Sequence, residues 1–203
     1  MRSLSFLSSI VLSWCIAISP VLANDDVKAD GFNDAANAFK DGDFVKATSM
    51  FKILAENGNA TAQYNYASLT YKGLGVPVDF EEAWFWAWRA RLAGIEKAIK
   101  LTENIKGELS QDSEIALVER LNETYENFAF DGDVQAISDV AIINYLALTE
   151  PDLEKSYTWA LVAQAFGQTD VQSIISDSGE MLEIEKKISN QKKARELFNK
   201  IQK

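Results

Sequence analysis

The chain repeats itself, and this limits its fold more than any other feature. Gly42-Asp43-Phe44-Val45-Lys46-Ala47 is matched by Val78-Asp79-Phe80-Glu81-Glu82-Ala83, an offset of 36 residues that also holds at Gly58/Gly94 and Ala62/Ala98. A third copy begins at Asp152, 73 residues after the second, where Trp159, Ala160, Ala163 and Gly167 match Trp86, Ala87, Ala90 and Gly94. A unit of this length is one helix–turn–helix that cannot bury its apolar face alone, so neighbouring units must stack. Ala83, Ala87, Ala90 and Gly94 fall on one helical stripe that lets a second helix approach closely, with Trp86 beside it as an aromatic knob. Asp43, Asp79 and Asp152 each precede a helical run and are predicted N-caps. Gly58 and Gly94 follow such runs, where a left-handed C-cap is predicted.

The residues of the clearest unit carry a resemblance. They are Asn59-Ala60-Thr61-Ala62-Gln63-Tyr64-Asn65-Tyr66-Ala67, then Tyr71-Lys72-Gly73-Leu74-Gly75-Val76, then Asp79, Ala83, Trp86, Ala90 and Gly94. This run resembles a Sel-one-like repeat, the longer relative of the tetratricopeptide repeat, with the Gly-x-Gly-Val loop as its distinguishing mark. The third copy is degenerate. Its first helix, about Asp133 to Leu148, keeps Ala136, Ala141 and Tyr145, but Leu146-Ala147-Leu148-Thr149-Glu150-Pro151 replaces the glycine loop.

Two further segments resemble each other. Glu108-Leu109-Ser110-Gln111 and Lys187-Ile188-Ser189-Asn190 each precede a helical stretch, Ile115 to Phe128 and Lys192 to Ile201, which Ser110 and Ser189 are predicted to cap. The predicted fold class is therefore all-α: a helix-turn-helix repeat solenoid, an α/α superhelix, with two charged helical hairpin segments. Two related halves follow, 24–128 and 129–203.

Residues 1–23 read as a cleavable signal peptide. Arg2 is followed by the apolar run Leu4 to Ser19 and by Pro20-Val21-Leu22-Ala23, with a cut expected after Ala23. The run is too short for a comfortable membrane span, so no membrane insertion is expected after cleavage. Leu12-Ser13-Trp14-Cys15 places a leucine three residues before a cysteine, but Trp14 is too large for lipoprotein processing. The expected location is periplasmic or secreted.

Composition then removes whole classes of chemistry. The chain has no histidine, and its one cysteine, Cys15, lies in the leader. Cys/His dyads, Ser-His-Asp triads, His-ligated zinc and disulfide staples are excluded. With a net charge of −10, the chain is not expected to bind nucleic acid. Glu81-Glu82, Asp25-Asp26 and Asp131/Asp133 are acids at helix starts or turns, which suits capping and the helix dipole. Asp41-Gly42-Asp43 and Asp131-Gly132-Asp133 lack the remaining oxygen ligands of a calcium loop. We assign no catalytic residue, no metal and no cofactor; a hydrolase and a purely structural envelope component are the alternatives to a binding scaffold.

What remains is a binding face. By resemblance to tetratricopeptide-type units, the first helix of each hairpin lines a concave surface that holds a protein or peptide. The lining positions in the clearest unit are Thr61, Tyr64, Asn65, Ser68 and Lys72, of which Asn65 and Lys72 match positions that hold peptide main chain or carboxylates in the related repeats. Their counterparts in the third copy are Gln135, Ser138, Asp139 and Ile142. Trp84 and Trp88, one turn apart, either pack against the Glu96–Phe128 segment or form a second, exposed binding patch.

Overall fold

The computed structural model describes residues 25–202, with side chains from Gly31 onward. The predicted leader and its cleavage site lie outside the described residues. Ten helices account for the described fold: α1 (Asp25–Lys40), α2 (Phe44–Glu56), α3 (Ala60–Lys72), α4 (Phe80–Leu92), α5 (Glu96–Lys106), α6 (Gln111–Phe130), α7 (Val134–Leu146), α8 (Leu153–Ala165), α9 (Gln172–Met181) and α10 (Ile184–Ile201). Packing runs in succession from α1 through α5 and again from α6 through α9, and α10 returns onto α8. This is an all-α repeat solenoid. Among the described residues no helix is long and apolar enough to cross a membrane.

The punctuation follows local chemistry. The side chains of Asp43, Asp79 and Asp152 accept the amides of Lys46, Glu82 and Lys155 at 3.1, 2.9 and 2.9 Å, so one orphan donor of each first turn is satisfied. Gly58 and Gly94 take φ of 84° and 85°, the left-handed conformation expected of them. The small-residue stripe performs as its spacing predicts: Ala83, Ala87 and Ala90 are fully buried. Tyr66 meets Trp86 edge-on at 5.8 Å, and the Trp86 indole donates to Glu82 at 2.7 Å. In the later half Trp159 is equally buried and meets Phe130 edge-on at 6.4 Å.

The loop between α3 and α4 depends on Gly75. Its φ is 80°, and a Cβ there would stand 2.1 Å from the Phe44 carbonyl oxygen. Only glycine lets the loop lie on the first turn of α2, where the Thr48 hydroxyl donates to the Leu74 carbonyl at 2.8 Å. The loop after α7 has no glycine and is tied differently. Lys106 donates to the Ala147 carbonyl at 3.0 Å, and Glu114 accepts from the Thr149 amide and hydroxyl at 3.2 and 2.8 Å.

Two expectations need correcting. Ser110 caps α6 by accepting the Ser113 amide at 3.1 Å, but Ser189 caps nothing, because α10 begins at Ile184 and runs through it. A serine inside a run of helix formers is tolerated when its neighbours pack, and Lys187, Asn190 and Ala194 keep a helical face turned inward. The third repeat does bury its lining positions Ser138 and Asp139, so that part of the expected binding face is core. The charged segments are α5–α6 and α9–α10. In each, the first helix stays on the repeat before it; α6 then moves on to α7, whereas α10 folds back to α8.

Candidate functional site

The cleft between α1 and α3 collects the expected binding residues. Both helices pack on α2, and the space left between them is a cavity of about 320 Å³. Its floor is aromatic and aliphatic: Phe32 and Phe39 from α1, Phe51 from α2, Leu69 from α3 and Leu74 from the loop beyond. Phe32 and Phe51 hold each other edge-on at 5.5 Å, which keeps the floor in one shape. Asn65, Ser68 and Lys72 line one wall and Lys40 the other. Asn65 and Ser68 are half-buried, and both lysines are exposed.

The helices explain why these side chains meet. Positions 65, 68 and 72 fall on one stripe of α3, next to the buried stripe of Ala62, Tyr66 and Leu69. Positions 32, 36 and 39 form the facing stripe of α1, and Ala36 in its middle leaves the room that becomes the cleft. The lining contains two cations and no carboxylate, although the whole chain carries −10. Among the described residues neither Lys40 nor Lys72 enters an ion pair. An amide that both donates and accepts, a hydroxyl and two ammonium groups thus surround an apolar floor.

Three of the five positions expected on this face line the cleft: Asn65, Ser68 and Lys72. Thr61 is exposed at the start of α3 without lining it, and Tyr64 is half-buried against the core. The second expected patch is corrected outright. Trp84 is 0 % and Trp88 2 % exposed, with their rings 5.6 Å apart, so the two form no exposed patch. Both pack between α4, α5 and the end of α7, the packing alternative for these two side chains, and border a cavity there. The α1 wall was missed, although Phe32, Ala36 and Phe39 at spacings of 4 and 3 are the apolar face of a helix.

Of the acid groups considered for chemistry, Glu81, Glu82 and Asp133 have structural partners. Glu81 accepts from the Ser113 hydroxyl at 2.7 Å, Glu82 from Trp86 and from Arg120 at 3.1 Å, and Asp133 from the amides of Gln135 and Ala136. The side chains of Asp25 and Asp26 lie outside the described residues. Among the described residues no set of three or more Asp, Glu, Cys or His converges to hold a metal ion.

The fold and cleft define a helical-repeat protein with an open, apolar and locally basic groove. No family profile matches the sequence, and no curated protein matches it. Among solved structures, the crystal structure of a Sel1 repeat protein from Oxalobacter formigenes aligns with 86 % of this chain and 91 % of its own length, at 16 % identity and a TM-score of 0.31. At that level the alignment carries no weight for family or function.

Proposed function

We propose that this chain is a protein-interaction scaffold, periplasmic or secreted once residues 1–23 are removed, which holds a short segment of a partner protein in the α1–α3 cleft. The observation that carries the proposal is the composition of the cleft wall: an aromatic floor ringed by Asn65, Ser68, Lys40 and Lys72. Peptide recognition needs an apolar pocket for an anchoring side chain and a few placed polar groups for the main chain. Asn65 can donate to a peptide carbonyl and accept from a peptide amide, and the lysines favour an acidic flank. The proposed activity is binding, not catalysis. The Sel-one-like resemblance of Asn59 to Gly94 points the same way, since such repeats serve as interaction scaffolds.

Selection of a random peptide library on the full chain tests this. The expected winners carry one large apolar residue next to acidic ones. The double substitution Lys40→Glu, Lys72→Glu should weaken their binding at least tenfold and leave the melting temperature in place. A library that yields no enriched peptide, or peptides indifferent to both lysines, overturns the proposal.

A further inference from the structure

A second cavity, of about 220 Å³, lies between α4, α5 and the end of α7 and shares no residue with the α1–α3 cleft. A cavity of roughly 150 Å³ already admits a benzene-sized molecule. The cavity here borders buried donors that lack acceptors. Trp84 and Trp88 line it, and the indole N–H of each is buried without a hydrogen-bond partner. A buried donor left in that state forgoes the hydrogen bonds that water gives it in the unfolded chain, and two neighbouring ones call for an explanation.

Arg91 stands over them. Its guanidinium stacks on the Trp88 ring at 4.4 Å and donates to the Thr102 hydroxyl at 3.1 Å, which in turn donates to the Ile99 carbonyl at 2.7 Å. Among the described residues no carboxylate lies within 4.0 Å of it. Burial pushes the Arg91 guanidinium below its ordinary value, and Glu103 pulls it part of the way back. A half-buried cation whose one hydrogen-bond partner is a neutral hydroxyl is short of an anion. Lys106, the second cation of the lining, is already shared between the Ala147 carbonyl at 3.0 Å and Glu114 at 3.7 Å.

We infer that this cavity binds a small carboxylate, with its oxygens on the open edge of Arg91 and its hydrocarbon part in the space bordered by Trp88, Leu146 and Ala147. The guanidinium fork matches a carboxylate with two parallel N–H···O bonds, and the Trp88 ring beneath holds that fork flat. One available cation, with Glu103 also on the wall, suits a monoanion and disfavours a phosphate dianion. The carboxylate can belong to a free aromatic acid or to the C-terminus of a chain ending in an aromatic residue. This assignment does not rest on the α1–α3 cleft.

The test follows the indole N–H signals of the ¹⁵N-labelled full chain, assigned with Trp84→Phe and Trp88→Phe. Four probes are titrated: benzoate, benzamide, and acetyl-Gly-Phe with a free or an amidated C-terminus. Saturable shifts of both indole signals are expected with at least one acid, at least tenfold tighter than with its neutral amide, and Arg91→Met should lose at least tenfold. Binding of benzoate identifies a free acid as sufficient, and binding of the peptide acid alone identifies a chain end. Should Arg91→Met fail to fold, the acid-against-amide comparison on the unaltered chain still decides. No saturable shift with either acid, or equal binding of acid and amide, overturns the inference.

Discussion

Helices α3 and α7 occupy the same place in the two halves, yet one lines an open cleft and the other is buried. Each has 13 residues and is capped by a side chain accepting backbone amides, Asn59 in one and Asp133 in the other. Ala62, Ala67 and Tyr71 of α3 recur as Ala136, Ala141 and Tyr145 of α7. Asn65 is then matched by Asp139, which is only 6 % exposed and has a single long hydrogen bond, from the Gln135 amide at 3.5 Å. The neighbours make the difference. In the first half the preceding helix α2 presents Phe51 as cleft floor, whereas at the matching position α6 places the buried Tyr125 within electrostatic reach of Asp139. Helix α6 has 20 residues to the 13 of α2, and the loop after α8 adds Asp170, which accepts from the Ser138 hydroxyl at 3.2 Å. Asn122 and Asn144 exchange hydrogen bonds at 3.0 and 2.7 Å where the first half has Thr48 and Thr70. One helix position therefore becomes a site or a core according to what is packed over it.

Substitutions can break this comparison, and the largest effects belong to the features both halves share. Trp86→Ala and Trp159→Ala should each cost about 3–5 kcal/mol, measured by chemical denaturation, because each removes the aromatic knob of its repeat. A cost in only one half would show that the two knobs are not equivalent. Gly75→Ala should cost about 2–4 kcal/mol, since left-handed strain adds to a collision with the Phe44 backbone. Its counterpart loop in the second half has no such constraint, so Ala147→Gly should cost only about 0.5–1 kcal/mol.

A smaller effect should be confined to the second half and to a pH window. Burial raises the Asp139 carboxyl from 3.8 to about 7, Asp133 and Asp170 push the same way, and the Gln135 amide opposes them. The folded chain then keeps a proton that the unfolded chain has released between about pH 4 and 7. Stability from this group is fully present below the unfolded value and is lost as the pH rises to about 7, with no further change above. Asp139→Asn should flatten that decline and stabilise the chain at pH 8 by about 1–3 kcal/mol. Denaturation midpoints at pH 5 and pH 8 measure it. The smallest change in stability is expected from Asn65→Ala with Ser68→Ala, about 0.5 kcal/mol or less, although this pair should weaken peptide binding.

Much of the first half was legible in the residues, for a physical reason. Caps, small stripes and aromatic knobs are local requirements, and Asp43, Gly58, Ala87 and Trp86 carry them in their own chemistry. Asn65, Ser68 and Lys72 could be placed on one stripe by helical period alone. Burial of Asp139 could not, because it depends on Tyr125 and Asp170, which no local pattern links to it. Ser189 misled because a serine before a charged helical stretch reads as a cap, and only the packing of Asn190 and Ala194 shows that the helix is already under way. Trp84 and Trp88 were ambiguous from sequence alone, since helical period separates faces without saying which of them a later helix such as α5 will cover.

The central claim is that equivalent positions 65 and 139 differ in access, and thiol reactivity measures this directly. Asn65→Cys and Asp139→Cys are each made with Cys15→Ser, and alkylation by an uncharged maleimide is followed by mass under native conditions. The thiol at 65 is expected to react at close to the rate of the unfolded chain and to be protected by a selected peptide. The thiol at 139 is expected to react at least a hundredfold more slowly. Equal rates at the two positions, or faster reaction at 139, would contradict the account.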